Sequence, residues 1–198
     1  MTRRPRWTIY FCMNVGIYGF SLWLPTTIKH LTHTGIGMAA LLSAIPNLVS
    51  IVGCFVLAAW SDRNGNRRFW TAFGLFCFAA CLVLSNVFQG QVWVSFVFIL
   101  GCGFFLHSPS GVFWTMPPIL SDPDRAAAER GLINALGNVG GFVGPFLVGW
   151  LTDVFNSTTS FYSLTVFALI GVAVTVALPA LTRGNSRRVS STRTEMAQ

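Results

Sequence analysis

Four segments of this chain carry polar side chains at helical spacing within otherwise apolar sequence. Tyr10, Asn14, Tyr18 and Ser21 lie 4, 4 and 3 residues apart, and Ser43, Asn47, Ser50 and Cys54 lie 4, 3 and 4 apart. A third segment carries His107, Ser110 or Gly111, and Trp114, and a fourth carries Asn134, Asn138 and Gly141. Residues three and four apart share a helix face, so each set forms a stripe. Amides, phenols and an indole give such stripes hydrogen bonding and aromatic contact rather than bond-making chemistry. Inside a membrane they must face other helices or a water-filled cavity. Ser43 and Ser50 are expected to bond between helices. Tyr10, Asn14, Trp114 and Asn134 are expected to line a cavity.

A nucleophile is harder to find. Ser108-Pro109-Ser110-Gly111 has the Ser-Gly pair of an intramembrane serine protease, but such an enzyme needs a histidine base on a facing helix. His30 and His33 fall in a loop after the first apolar run, and no histidine follows His107. His107 is expected to be a hydrogen-bonded structural residue. The five cysteines, Cys12, Cys54, Cys77, Cys81 and Cys102, fall inside apolar runs, with no metal or disulfide spacing. No cofactor and no enzymatic reaction are implied.

The elements that position these stripes follow from composition. Of 198 residues, 53% are hydrophobic and 10% charged, and the mean hydropathy is +0.61. Soluble domains are roughly a quarter charged. Apolar runs at about 7–28, 38–60, 69–88, 91–118, 131–152 and 160–181 are each long enough to cross a bilayer of about 30 Å. Lipid cannot satisfy an open backbone, so the runs are helices, and the fold class is an all-α integral membrane protein with six spans. Twelve arginines flank one side of these spans and Lys29 alone the other. The positive-inside rule therefore puts both termini in the cytoplasm, most simply at the cell membrane. The charge clusters set topology, and nucleic acid is not an expected partner. The first run is an uncleaved signal-anchor. Asn156-Ser157-Thr158 is a polar turn, and the Ser/Arg-rich residues 184–198 form a disordered tail beyond a membrane domain at 1–183.

The chain also matches itself. A shift of 91 residues brings Leu41, Ala44, Asn47, Val52, Gly53, Phe55 and Asp62 onto Leu132, Ala135, Asn138, Val143, Gly144, Phe146 and Asp153, and Trp23 onto Trp114. The unit is three helices, about 7–88 and 91–181. An odd number of spans inverts the second copy, as in secondary transporters whose sites lie between repeats. The glycines of the fifth run, with Gly144-Pro145 among them, are expected to serve packing and a hinge.

The segment Ser61-Asp62-Arg63-Asn64-Gly65-Asn66-Arg67-Arg68 resembles the D-R-x-G-R-R cytoplasmic loop of the major facilitator superfamily. Ala58 stands where that family usually has glycine. By this resemblance Asp62, Arg63, Gly65, Arg67 and Arg68 are gating residues, with the carboxylate holding a facing helix end and the arginines pinning the loop. Tyr18 to Pro25, Phe113 to Pro117 and Leu132 to Pro145 are similar to the carboxyl-terminal half of the anion:cation symporter branch, which includes tartrate, phthalate and sugar-acid transporters. The resemblance implies that Trp114, Asn134 and Tyr10 contact an acidic substrate. Asn14, Tyr18 and Asn138 join them as candidate substrate residues from the stripes. The entry to the fifth helix, Ser121 to Arg130, is longer and more charged than the family's.

No Asp, Glu, Lys or Arg lies well inside any run. Proton-coupled anion transport needs a titratable carboxylate and usually a buried cation, which the resemblance assigns to an amino-terminal half. The expectation is half of a twelve-helix transporter of a small carboxylate, present as a fragment or a half-transporter. Its partners are membrane lipid, the carboxylate, and either the missing half or a second copy. A passive pore or a non-transporting membrane subunit is the alternative.

Overall fold

In a computed structural model of the chain, residues 6–115, 126–155 and 157–177 are described. The apolar runs fold as helices α1 (Arg6–Thr32), α2 (Ile36–Asn64), α3 (Arg67–Val87), α4 (Val92–Leu106), α5 (Ser108–Phe113), α6 (Ala126–Val154) and α7 (Ser157–Ala177), with no strand among the described residues. The stretches Ile36–Asn64, Arg67–Val87, Val92–Phe113, Ala127–Val154 and Ser160–Ala177 are long and apolar enough to cross a membrane. Helix α1 has the length, about 40 Å for its 27 residues, but its tyrosines, Asn14 and Ser21 make it less apolar than the others.

Helix ends differ from the sequence reading in three places. Ser61 to Asn64 form the last turn of α2 rather than a loop. Gly65 ends that helix at φ 65°, and its N–H donates to the Ser61 carbonyl. A left-handed residue after a helix costs glycine least. Asn66 then caps α3 by accepting from the Phe69 N–H at 3.2 Å. Helix α1 runs through Pro25 to Thr32, so His30 lies in its last turn rather than in a loop. The fourth run is broken at His107 into α4 and α5, where Pro109 falls in the first turn of the new helix. Proline lacks the N–H that a continuous helix would need there. The expectations resting on residues 1–5, 116–125, 156 and 178–198 lie outside the described residues. These cover most of the flanking arginines, the turn at Asn156 and the tail.

Packing follows the internal repeat. The most extensive contact is α1 along α6, and its counterpart is α2 along α4 and α5. Gly53 of α2 lies against the backbone of Phe104, and Gly144 of α6 lies against the backbone of Val15. These two glycines are partners at the 91-residue shift. Helices in lipid gain little from burying apolar surface, so close backbone approach at small residues supplies the attraction. Helices α3 and α7 pack together and against α4 and α1, closing the bundle opposite the striped helices. The main core joins Val15, Phe20, Leu24, Phe78, Leu82, Ile99, Val148 and Leu164.

A methyl group at either repeat-related glycine would meet backbone, which cannot swing aside. Gly53→Ala and Gly144→Ala should each destabilise the bundle by about 1–3 kcal/mol. Gly37, with open space around it, should tolerate alanine without loss. Thermal unfolding in detergent, followed by tryptophan fluorescence, checks all three.

Candidate functional site

The α1–α6 contact sets the site. Gly137 and Gly141 of α6, one helical turn apart, seat the rings of Tyr10 and Tyr18 of α1. Tyr10 extends from there to α5. Its ring lies 4.9 Å from that of Trp114 in an edge arrangement at 72°, and 5.8 Å from Phe113 in a stack at 6°. Offset stacking and edge-to-face contact are the favoured aromatic geometries. Beneath these rings Ile9, Met13, Leu75, Phe113 and Ile133 form a second buried cluster. Tyr10 and Trp114 are half-buried on top of it, and Tyr18 is 43% exposed.

Beside the aromatics runs a line of amides. Asn14 Nδ2 donates to Asn138 Oδ1 at 3.4 Å, and Asn138 Nδ2 donates to Asn134 Oδ1 at 3.1 Å. Asn134 and Asn138 are exposed, whereas Asn14 is 3% exposed. All six candidate substrate residues therefore come together on one face, built from α1, α5 and α6. Asn14 is the exception in kind: it lies under the face rather than on it. The face offers aromatic surface and amide groups, and among the described residues the charged side chains lie near helix ends.

The stripe on α2 behaves differently. The Ser43 hydroxyl donates to the Ala39 carbonyl, Ser50 to the Asn47 carbonyl, and Asn47 Nδ2 to the Ser43 carbonyl. These bonds stay within the helix, which corrects the expectation of interhelical bonding for Ser43 and Ser50. Serine reaches back to a carbonyl one turn earlier without needing a neighbour. His107 also departs from expectation. Its side chain is exposed at the break between α4 and α5, while its backbone carbonyl accepts from the N–H groups of Ser110 and Gly111.

The expected gating residues fall into two groups. At one end of the bundle Arg67 Nη2 lies 3.4 Å from Asp62 Oδ1, and Arg67 Nη1 donates to the Thr115 carbonyl at 3.2 Å. Arg68 Nη2 donates to the Val176 carbonyl. Arginines, rather than the aspartate, thus hold the ends of other helices, where carbonyls leave a negative pole. The Asp62 side chain is 66% exposed, so its pairing with Arg67 contributes little stability, about 0–1 kcal/mol. Arg63 is exposed and Gly65 forms the cap already described. The second group, Gly144 and Pro145, lies within α6 against α1. Here the Trp23 indole N–H donates to the Pro145 carbonyl at 3.1 Å. Sequence reasoning missed Trp23 as a structural tie and Phe113 as the floor under Tyr10. The 91-residue match of Trp23 with Trp114 pointed to both tryptophans without separating their roles.

The geometry predicts a sharp contrast in accessibility. Cysteines introduced at Tyr18, Asn134 and Asn138 should react with a hydrophilic maleimide in the folded protein. A cysteine at Asn14 should remain unlabelled until denaturation. Mass spectrometry of the labelled chain measures this.

Comparison with known proteins agrees with this architecture. Residues 1–131 match the sequence profile of the Major Facilitator Superfamily. The chain is 32% identical over 167 residues to a quinolone resistance transporter of Acinetobacter baumannii, covering 84% of this chain and 38% of that protein. It is 30% identical over 178 residues to a protein described as a tartrate transporter of Agrobacterium vitis, covering 86% of this chain and 38% of that one. Among solved structures, the peptide transporter POT in complex with sulfate superimposes with a TM-score of 0.65 at 18% identity, covering 98% of this chain and 43% of that chain. The chain thus spans about two fifths of the length of these proteins.

Proposed function

This chain belongs to the Major Facilitator Superfamily, and from that premise we propose that it is one six-helix half of a transporter for a small organic anion. The observation that carries the reading is the convergence of Tyr10, Trp114, Asn134 and Asn138 on one open face. Indole and phenol rings can lie against the carbon skeleton of a carboxylate or sugar acid. Amide N–H groups can donate to its oxygens. The 30% identity to a tartrate transporter supports the same substrate class.

Transport by this face needs a second wall. Helices α2 and α6 expose Leu41, Leu48, Val52 and Phe55, and Leu132, Val139, Phe142 and Phe146. A second six-helix half, the amino-terminal one, packs there and encloses the substrate between the halves. It also supplies the titratable carboxylate and the buried cation for proton coupling, which the spans here lack. The membrane domain comprises residues 1–183, as repeats at about 7–88 and 91–181, followed by a tail at 184–198. In this reading the protein resides in the cell membrane with both termini cytoplasmic, which the flanking arginines support through the positive-inside rule. In the working cycle Asp62, Arg63, Gly65, Arg67 and Arg68 brace the cytoplasmic end. Gly144 and Pro145, tied to Trp23, form the point at which α6 bends.

The chain in lipid nanodiscs is expected to bind tartrate, and Trp114→Ala to weaken that binding about tenfold or more, equivalent to about 1.4 kcal/mol or more. The same chain alone in proteoliposomes with an inward proton gradient should show no uptake above the empty-vesicle level. Radiolabelled tartrate serves both measurements, with a quinolone and a cationic amine for comparison. Binding unaffected by Trp114→Ala removes the substrate face, and robust proton-driven uptake by the chain alone removes the need for a second half.

A further inference from the structure

The three amides form a ladder with a direction. Asn138 accepts from Asn14 through its oxygen and donates to Asn134 through its nitrogen. A carboxamide has one acceptor end and one donor end. With its oxygen turned to Asn14, Asn138 meets Asn134 with its nitrogen. With its oxygen engaged by Asn138, Asn134 turns its NH2 group away from the ladder, and Asn134 is exposed on the open face. Asn14 has no such exposure. At 3% it is out of reach of a solute on that face, and its helix is held against α6 by the glycine contacts at Gly137, Gly140 and Gly144.

We infer that Asn14 is a positioning residue: acting through Asn138, it holds the Asn134 amide with its N–H donors directed at the carboxylate of the bound substrate. The inference rests on the reading of this face as an organic-anion site, and it adds the basis of charge selection. An untethered asparagine can present either end, because its terminal torsion is broad and close to two-fold. A tethered one keeps its donor end outward and its oxygen turned to Asn138, so an anion is bound in preference to an ammonium of the same shape, and no orienting step is needed when it arrives. The neighbouring repeat lacks the device. Asn47, the 91-residue partner of Asn138, donates to the Ser43 carbonyl of its own helix.

The test reads the ladder directly and needs no substrate. In the chain labelled with 15N-asparagine and held in lipid nanodiscs, Asn14→Leu should shift the side-chain amide resonance of Asn134, two links away, and leave that of Asn47 in place. Asn138→Leu, made on the exposed side, should shift it likewise and serves if Asn14→Leu fails to fold. An Asn134 signal that does not move overturns the inference, and so does a shift shared by Asn47, which would mark general loosening. In a second measurement Asn14→Leu and Asn134→Ala should each weaken tartrate binding about fivefold, as loss of one hydrogen bond does. The double variant should be no worse than Asn134→Ala alone, since coupled residues do not add. Additive losses overturn the inference while the anion site stands. Native tartrate binding in Asn134→Ala overturns the anion site while leaving the resonance result intact.

Discussion

The near approach of two backbones, α1 against α6, is the contact on which the polar face depends. Gly137, Gly140, Gly141 and Gly144 remove side chains along one edge of α6, and Tyr10, Phe11, Val15 and Tyr18 of α1 fill that edge. Side chains in place of these glycines would push the two helices apart, and the Asn14–Asn138 bond, already 3.4 Å long, would be lost. In a hydrocarbon solvent such an approach is also one of the few attractive forces open to two helices. One run of glycines thus binds the bundle together and brings the functional groups into register.

The same physics gives the two repeats different work. Gly53 and Gly144 are equivalent at the 91-residue shift, and each meets the backbone of a partner helix. The polar residues carried between these contacts have diverged. On α2 the serines and Asn47 turn back on their own helix, which satisfies them without a neighbour. On α6 the amides reach each other and α1. Trp23 and Trp114 part in the same way, the first tied to the Pro145 carbonyl and the second packed edge-on against Tyr10. The face therefore draws on both repeats, α1 from the first and α5 and α6 from the second, and the direction of the hydrogen bonds separates it from the repeat-related contact of α2 with α4 and α5.

Directly beside Trp114, Arg67 at the start of α3 reaches the Thr115 carbonyl after the α5 turn, and its neighbour Arg68 reaches the Val176 carbonyl in the last turn of α7. Two adjacent cations at one helix start thus hold the ends of two other helices. A bundle fastened at one end this way, and along its length by α1 and α6, suits movement as a unit. Among the described spans the helix is interrupted at His107, between α4 and α5, whereas α1, α2 and α6 run on through Pro25, Pro46 and Pro145.

The helices, the repeat and the family were legible in the sequence, because apolar runs in lipid have no alternative to helix and because a constant offset survives in glycine, asparagine and tryptophan. The stripes also identified Tyr10, Tyr18, Trp114, Asn134 and Asn138 as residues of one face, since helical periodicity fixes direction around an axis. Periodicity carries no information about depth or partner. It could not place Asn14 beneath the face, turn Ser43 and Ser50 back on their own helix, expose His107 or give Trp23 its carbonyl. Those outcomes depend on how closely two helices lie and which atoms then fall within about 3 Å, and only the packed bundle sets that.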